Sequence, residues 1–116
     1  MMSFFEKGWK MIDIDQIQKE IVERLKPLEP EKIILFGSYA NGTANEDSDI
    51  DLFLVKGGQG NSMQYQLEAM IKLKDLMKKY EIGFDVLSGS QTFLDKREDY
   101  FYREDILKHG KVIYAK

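Results

Sequence analysis

Apolar residues at Ile14, Ile17, Ile21, Val22, Leu25 and Leu28 recur with a period of about 3.6 residues, which predicts a helix with one buried stripe. Asp13 stands where it caps the first turn, and Pro27 and Pro30 end the helix. Lys32-Ile33-Ile34-Leu35-Phe36 is β-branched and apolar, a buried strand that Gly37 stops abruptly. Residues 37–48 are small and polar and predict a short helical turn. Asp49 to Val55 alternates, then becomes fully apolar, and reads as a second strand. Gly57-Gly58-Gln59-Gly60-Asn61 reads as a connecting loop, with a lid as the alternative. Ser62 to Tyr80 predicts the clearest helix, with Ser62 as cap and a core face of Met63, Leu67, Met70, Ile71, the Lys74 stem and Met77. Ile82 to Leu87 is a third strand. Gln91 to Lys116 mixes helical turns with charged residues and ends in a short strand, Val112-Ile113-Tyr114.

The first twelve residues carry no such pattern. They are expected to be an irregular N-terminal extension, 1–12, ahead of a single domain, 13–116, with Met11 as an alternative start. The order α-β-(short α)-β-α-β-α-β predicts an α/β (α+β) fold: a mixed sheet of three to four strands with helices packed on it.

Composition narrows the function classes. A chain of 116 residues with 43% hydrophobic and 32% charged side chains is that of a globular domain rather than a disordered one. Folding at this size buries roughly 65% of the unfolded surface, enough for one core and too little for a separate substrate-holding domain. The chain has no cysteine, which excludes disulfides, thiolate metal sites and cysteine nucleophiles, and fits a cytoplasmic protein. No apolar run approaches the ~20 residues of a membrane helix, and the first residues lack the pattern of a signal peptide. Seventeen basic against twenty acidic residues, net charge −3, argue against gripping a nucleic-acid backbone along the whole surface.

Three features carry candidate chemistry. Gly37-Ser38 follows a buried strand and opens a helical turn, where the backbone bends sharply and amide N–H groups suit a phosphate. Asp49 and Asp51, two apart in a strand, project from one face. Such a pair repels itself unless a cation sits between, and Mg²⁺ takes one or two carboxylates with water and phosphate oxygens. The bland alternative is a solvated acidic loop end beside Glu46 and Asp47. Asp85 interrupts an apolar strand, so it either faces water at a sheet edge or joins the other aspartates. Three carboxylates around two metal ions about 3.5–4 Å apart would be the layout of two-metal nucleotidyl transfer.

Taken in order, Leu35-Phe36-Gly37-Ser38-Tyr39-Ala40-Asn41-Gly42-Thr43-Ala44 followed by Ser48-Asp49-Ile50-Asp51-Leu52 resembles the minimal (MNT-type) members of the DNA polymerase beta-like nucleotidyltransferase superfamily. The resemblance covers about residues 14 to 90, with a weaker match from Arg103 to Tyr114. It implies the nucleotidyltransferase fold, with Gly37 and Ser38 on the β- and γ-phosphates of a nucleoside triphosphate, ATP by expectation. It implies that Asp49 and Asp51 bind two Mg²⁺ ions, and that Asp85 binds one of them and draws the proton from the attacking hydroxyl. Relatives often carry Arg where this chain has Asn41, so a charge-assisted contact, typically about 1.5–3 kcal/mol, is missing here.

The resemblance also implies a partner. Minimal members resembling this chain act as antitoxins of HEPN-type ribonuclease toxins, and some move AMP onto a tyrosine of that toxin. A protein adenylyltransferase in a hetero-oligomer with such a toxin is therefore the expected function. The alternatives are an antitoxin that only occludes its partner, and a stand-alone nucleotidyltransferase acting on a small hydroxylated molecule. Phe4, Phe5, Trp9, Tyr100, Phe101 and Tyr102 would either form a contact patch or cap the small core. His109, beside Gly110, is expected at a helix C-terminus. Arg97, Arg103 and Lys111 alternate with acids and are expected on a solvated face.

Overall fold

A computed structural model of the chain describes the backbone of residues 4–7, 10–57 and 62–116 and the side chains of residues 13–57 and 63–116. Strands β1 (Phe4–Lys7) and β2 (Lys10–Asp13) pair antiparallel, Phe4 opposite Asp13 and Lys7 opposite Lys10. For residues 4–7 and 10–12 this corrects the irregular extension expected over 1–12: strands of four residues are too short to show a period, and their conformation comes from pairing with each other. Helix α1 (Ile14–Leu25) follows directly. Asp13 is its N-cap, accepting a hydrogen bond from the Gln16 amide at 3.1 Å. A 3₁₀ turn over Lys26–Leu28, with Pro27 in it, ends the helix as expected.

The central sheet has the order β5-β4-β3-β6. Strand β3 (Lys32–Phe36) lies antiparallel to β4 (Ile50–Val55) on one side and to β6 (Lys111–Ala115) on the other. Strand β5 (Phe84–Gly89) runs parallel to β4 at the sheet edge, reached through helix α3 (Ser62–Tyr80). A one-turn helix, α2 (Ser38–Asn41), links β3 towards β4. Helix α4 (Gln91–Lys96) and a wide-turn π-helix, α5 (Phe101–Lys108), lead into β6. The mixed four-stranded sheet and its helices are those the pattern predicts.

Side-chain alternation gives the sheet two faces. On one, Ile33, Leu35, Ile50, Leu52, Leu54, Phe84 and Val86 form a core with Ile17, Ile21 and Leu25 of α1 and Ala69, Leu73 and Leu76 of α3. On the other, Ile34, Phe36, Phe53 and Val55 pack with Leu94 of α4 and Ile106 of α5. The two long helices are tied together above the first face. Arg24 donates from Nε and Nη2 to the Asp75 carboxylate at 2.9–3.2 Å. The buried Glu20 accepts from Lys79 Nζ at 2.6 Å and from the Tyr80 hydroxyl at 2.5 Å. Burial raises the Glu20 pKa, yet these hydrogen bonds outweigh it and hold the carboxyl below its ordinary value.

The orientation of α3 differs from the expected one. Met63, Leu67 and Ile71, expected on the core face, are 71%, 59% and 71% exposed. The buried stripe is Ala69, Leu73 and Leu76, flanked by Tyr65, Met70, Met77 and Tyr80. The sequence carries apolar residues on both stripes, and only packing against β5 and α1 selects one. Residues 58–61 of the glycine loop, and the side chains of Phe4, Phe5, Trp9 and Ser62, lie outside the described residues. Among the described residues no helix is long and apolar enough to cross a membrane.

Candidate active site

The site is a row across the sheet. Phe36, the last residue of β3, lies opposite Asp51 in β4, and Asp51 lies beside Asp85 in β5. Neighbouring strands are about 4.8 Å apart, so these registers alone set the three side chains next to one another on one face. The face is the one bearing Phe36, Phe53 and Leu94, opposite α1 and α3. Asp85 is exposed and β5 is an edge strand, so both readings left open for it hold at once. It faces water and it meets Asp51.

Burial and the Asp85 carboxyl beside it, helped by a hydrogen bond between the two and by Asp49, push the Asp51 pKa up to about 6. Asp49 precedes β4 and is exposed. Its carboxylate packs over Gly83: a Cβ added to Gly83 would come 2.9 Å from the Asp49 Cγ. The Ile50 amide donates to the Gly83 carbonyl at 2.9 Å, locking the start of β4 to the approach of β5.

Gly37 lies over Asp51. Its φ of 75° and ψ of −154° are open to glycine almost alone, and an added Cβ would run into the Asp51 carboxylate. The phosphate-suited bend of the sequence is thus packed onto an aspartate, with Ser38 opening α2 immediately after it. Asn41 is spent locally: its Oδ1 accepts from the Thr43 amide at 3.2 Å and the Thr43 hydroxyl at 2.5 Å. Burial, with the charge of Asp49 adding to it, pushes the Tyr39 hydroxyl up to about 12, and the ring packs against the first core.

The structure therefore brings Gly37, Asp51 and Asp85 together, with Asp49 in electrostatic reach. Among the described residues no three acidic or histidine side chains converge tightly enough to hold one ion. The donor chemistry still fits a hard divalent cation: carboxylate oxygens crowded together, one raised above its ordinary pKa by burial and by its acidic neighbours.

Several other residues fall away from this site. His109 follows α5; its amide donates to the Glu104 carbonyl at 2.9 Å, and its ring meets the Glu104 carboxylate at 3.5 Å. That is the helix-end position expected of it. Arg97 is exposed and pairs with Asp99 at 2.9 Å, as expected of a solvated charged face, and its guanidinium also lies 4.7 Å from the Tyr102 ring centre and 5.4 Å from that of Phe93. An open groove lined by Asp15, Gln18, Lys19, Val22, Glu23 and Ile113 lies between α1 and β6, away from the aspartates. Sequence reasoning gave no role to Phe36 or Tyr39, though each stands within two residues of Gly37.

The chain belongs to the family described as Polymerase beta, Nucleotidyltransferase, which it matches over residues 17–116. It is 32% identical over 99 residues to a Methanocaldococcus jannaschii protein named "Putative protein adenylyltransferase MJ0604", a match spanning 83% of this chain and 93% of that one. Among solved structures, a toxin–antitoxin with AMP-PNP has the same fold, at a TM-score of 0.61 and 21% identity, covering 85% of this chain and 73% of that one. So does a complex of a tri-AMPylated Shewanella oneidensis HEPN toxin with an MNT antitoxin, at a TM-score of 0.56 and 16% identity, covering 88% of this chain and 72% of that one.

Proposed function

We propose that this nucleotidyltransferase moves AMP from ATP, with Mg²⁺, onto a tyrosine hydroxyl of a HEPN-type toxin partner, and so acts as its antitoxin. The observation that carries the transfer chemistry is the register that sets Asp85 beside Asp51 under Gly37. The family relationship to a protein named as an adenylyltransferase, and the fold shared with antitoxins in toxin complexes, support the choice of nucleotide and partner.

Each residue has a distinct task in this reading. The Gly37 and Ser38 backbone and the Ser38 hydroxyl hold the β- and γ-phosphates, leaving the α-phosphorus over the aspartates. Asp49, Asp51 and Asp85 would hold Mg²⁺, which supplies charge neutralisation on the transferring and leaving oxygens. The acceptor oxygen bonds to the α-phosphorus, the bond to the β-phosphate oxygen breaks, and pyrophosphate leaves. The acceptor proton passes to the Asp85 carboxylate, the natural base because it is exposed at the sheet edge where a large acceptor has access.

The test is intact-mass analysis of the co-expressed toxin partner after incubation with Mg²⁺ and ATP. Wild type adds AMP-sized increments to the partner, and Asp51→Asn does not. Equal transfer by Asp51→Asn would remove the scheme. A partner that is inhibited yet unmodified would mean occlusion, and loading of a small hydroxylated molecule instead would mean a stand-alone enzyme.

A further inference from the structure

The face that carries the aspartates also carries an aromatic cluster with no role in the transfer described above. Phe36, directly opposite Asp51, has the ring of Phe101 edge-on against it at 5.7 Å between centroids. Phe101 in turn meets Tyr102 edge-on at 5.0 Å. Tyr102 is fixed by Phe53 at 6.3 Å, by Phe93 at 5.4 Å and by the Arg97 guanidinium. Phe101 is therefore oriented by neighbours that are themselves held, yet it stays 37% exposed, and the adjacent Tyr100 is 74% exposed. Both stand at the leading end of α5, whose wide π-type turns are often found at functional sites.

We propose that Phe101, with Tyr100 beside it, is the stacking surface for the base of the donor nucleoside triphosphate. Position decides between donor and acceptor. Across the sheet the order is Phe36, Asp51, Asp85, so Phe101 lies on the Gly37 side of Asp51 and Asp85 on the other. The Gly37 side is where the phosphates are held, and the Asp85 edge is where the acceptor approaches. An open ring with a fixed orientation offers its face to any base at little entropic cost, which is how sequence-tolerant base stacking works. This inference rests on the nucleotidyl-transfer reading and deepens it.

Titration calorimetry with Mg²⁺ and either ATP or inorganic tripolyphosphate separates the two, because tripolyphosphate has the phosphates without the base. Wild type should bind ATP the more tightly. Phe101→Leu, which keeps an apolar side chain but removes the ring, should weaken ATP about tenfold and leave tripolyphosphate unchanged. Tyr100→Ala should weaken ATP a few-fold, and because that side chain is exposed, it serves as the deciding variant if Phe101→Leu melts early. Equal wild-type affinity for ATP and tripolyphosphate, or equal losses for both ligands in Phe101→Leu, or unchanged ATP affinity in Tyr100→Ala, would overturn the stacking role while leaving the transfer chemistry standing. Binding of neither ligand by wild type would overturn the transfer reading, and the stacking role with it.

Discussion

Burial, then the Asp85 carboxyl, then Asp49 raise the Asp51 carboxyl from 3.8 to about 6. Its folded pKa thus exceeds its unfolded one, and the native state binds this proton more tightly. The stabilisation from this group is complete below pH 3.8 and is lost as pH rises through about 6. At neutral pH the ion-free chain therefore carries an unfavourable charge. Asp51→Asn should stabilise the ion-free protein at pH 7.5 by about 1–2 kcal/mol, after discounting for the solvent that reaches the group. At pH 4 the gain should shrink towards zero. Urea denaturation at the two pH values checks this, and an equal gain at both would locate the effect elsewhere. At Gly37 the constraint is backbone geometry. Gly37→Ala places a Cβ against the Asp51 carboxylate in a conformation reserved for glycine, so it should cost about 1–3 kcal/mol by denaturation. It should also abolish transfer, since the bend and the carboxylate cannot both keep their places.

Helix α3 shows what one element leaves undecided until it docks. Its apolar residues fall on two stripes, and the methionine-rich one, read from sequence as the core face, faces solvent instead. The consequence is measurable. Leu73→Ala, at full burial against α1 and β5, should destabilise the protein by about 2–5 kcal/mol. Leu67→Ala, 59% exposed on the same helix, should stay within about 0.5 kcal/mol of wild type. Comparable losses at both positions would mean that α3 is rotated from the orientation described. Strand β5 makes the same point at the site. An aspartate within an apolar strand looks costly in isolation, but Asp85 is exposed on an edge strand and is affordable there.

For the molecule as a whole, the proposed ion binding would couple to fold stability through the aspartate row. A divalent cation that neutralised this row would bind the native chain and not the unfolded one, and so would add stability by mass action. Mg²⁺ should raise the melting temperature of wild type by a few degrees, chelation should reverse the rise, and Asp51→Asn should show little of it. A rise of equal size in Asp51→Asn would place the ion elsewhere. Much of this architecture was legible beforehand. The element order, the cap at Asp13 and the abrupt stop at Gly37 all follow from local chemistry. The outward stripe of α3 and the aromatic row beside Asp51 were not legible, because each depends on residues distant in sequence, and the pairing of β1 with β2 was not, because strands of four residues are too short to show a period.

The sequence by itself determined the local periods: where strands and helices run, and which side chains within one strand project together. These follow from backbone geometry, which needs only neighbouring residues. The tertiary structure alone decided that β5 lies parallel to β4 with Asp85 level with Asp51, and that α5 crosses the same face to set Phe101 on Phe36. Strand register across a long crossover is fixed by burying both sheet faces at once, a condition that no single segment contains.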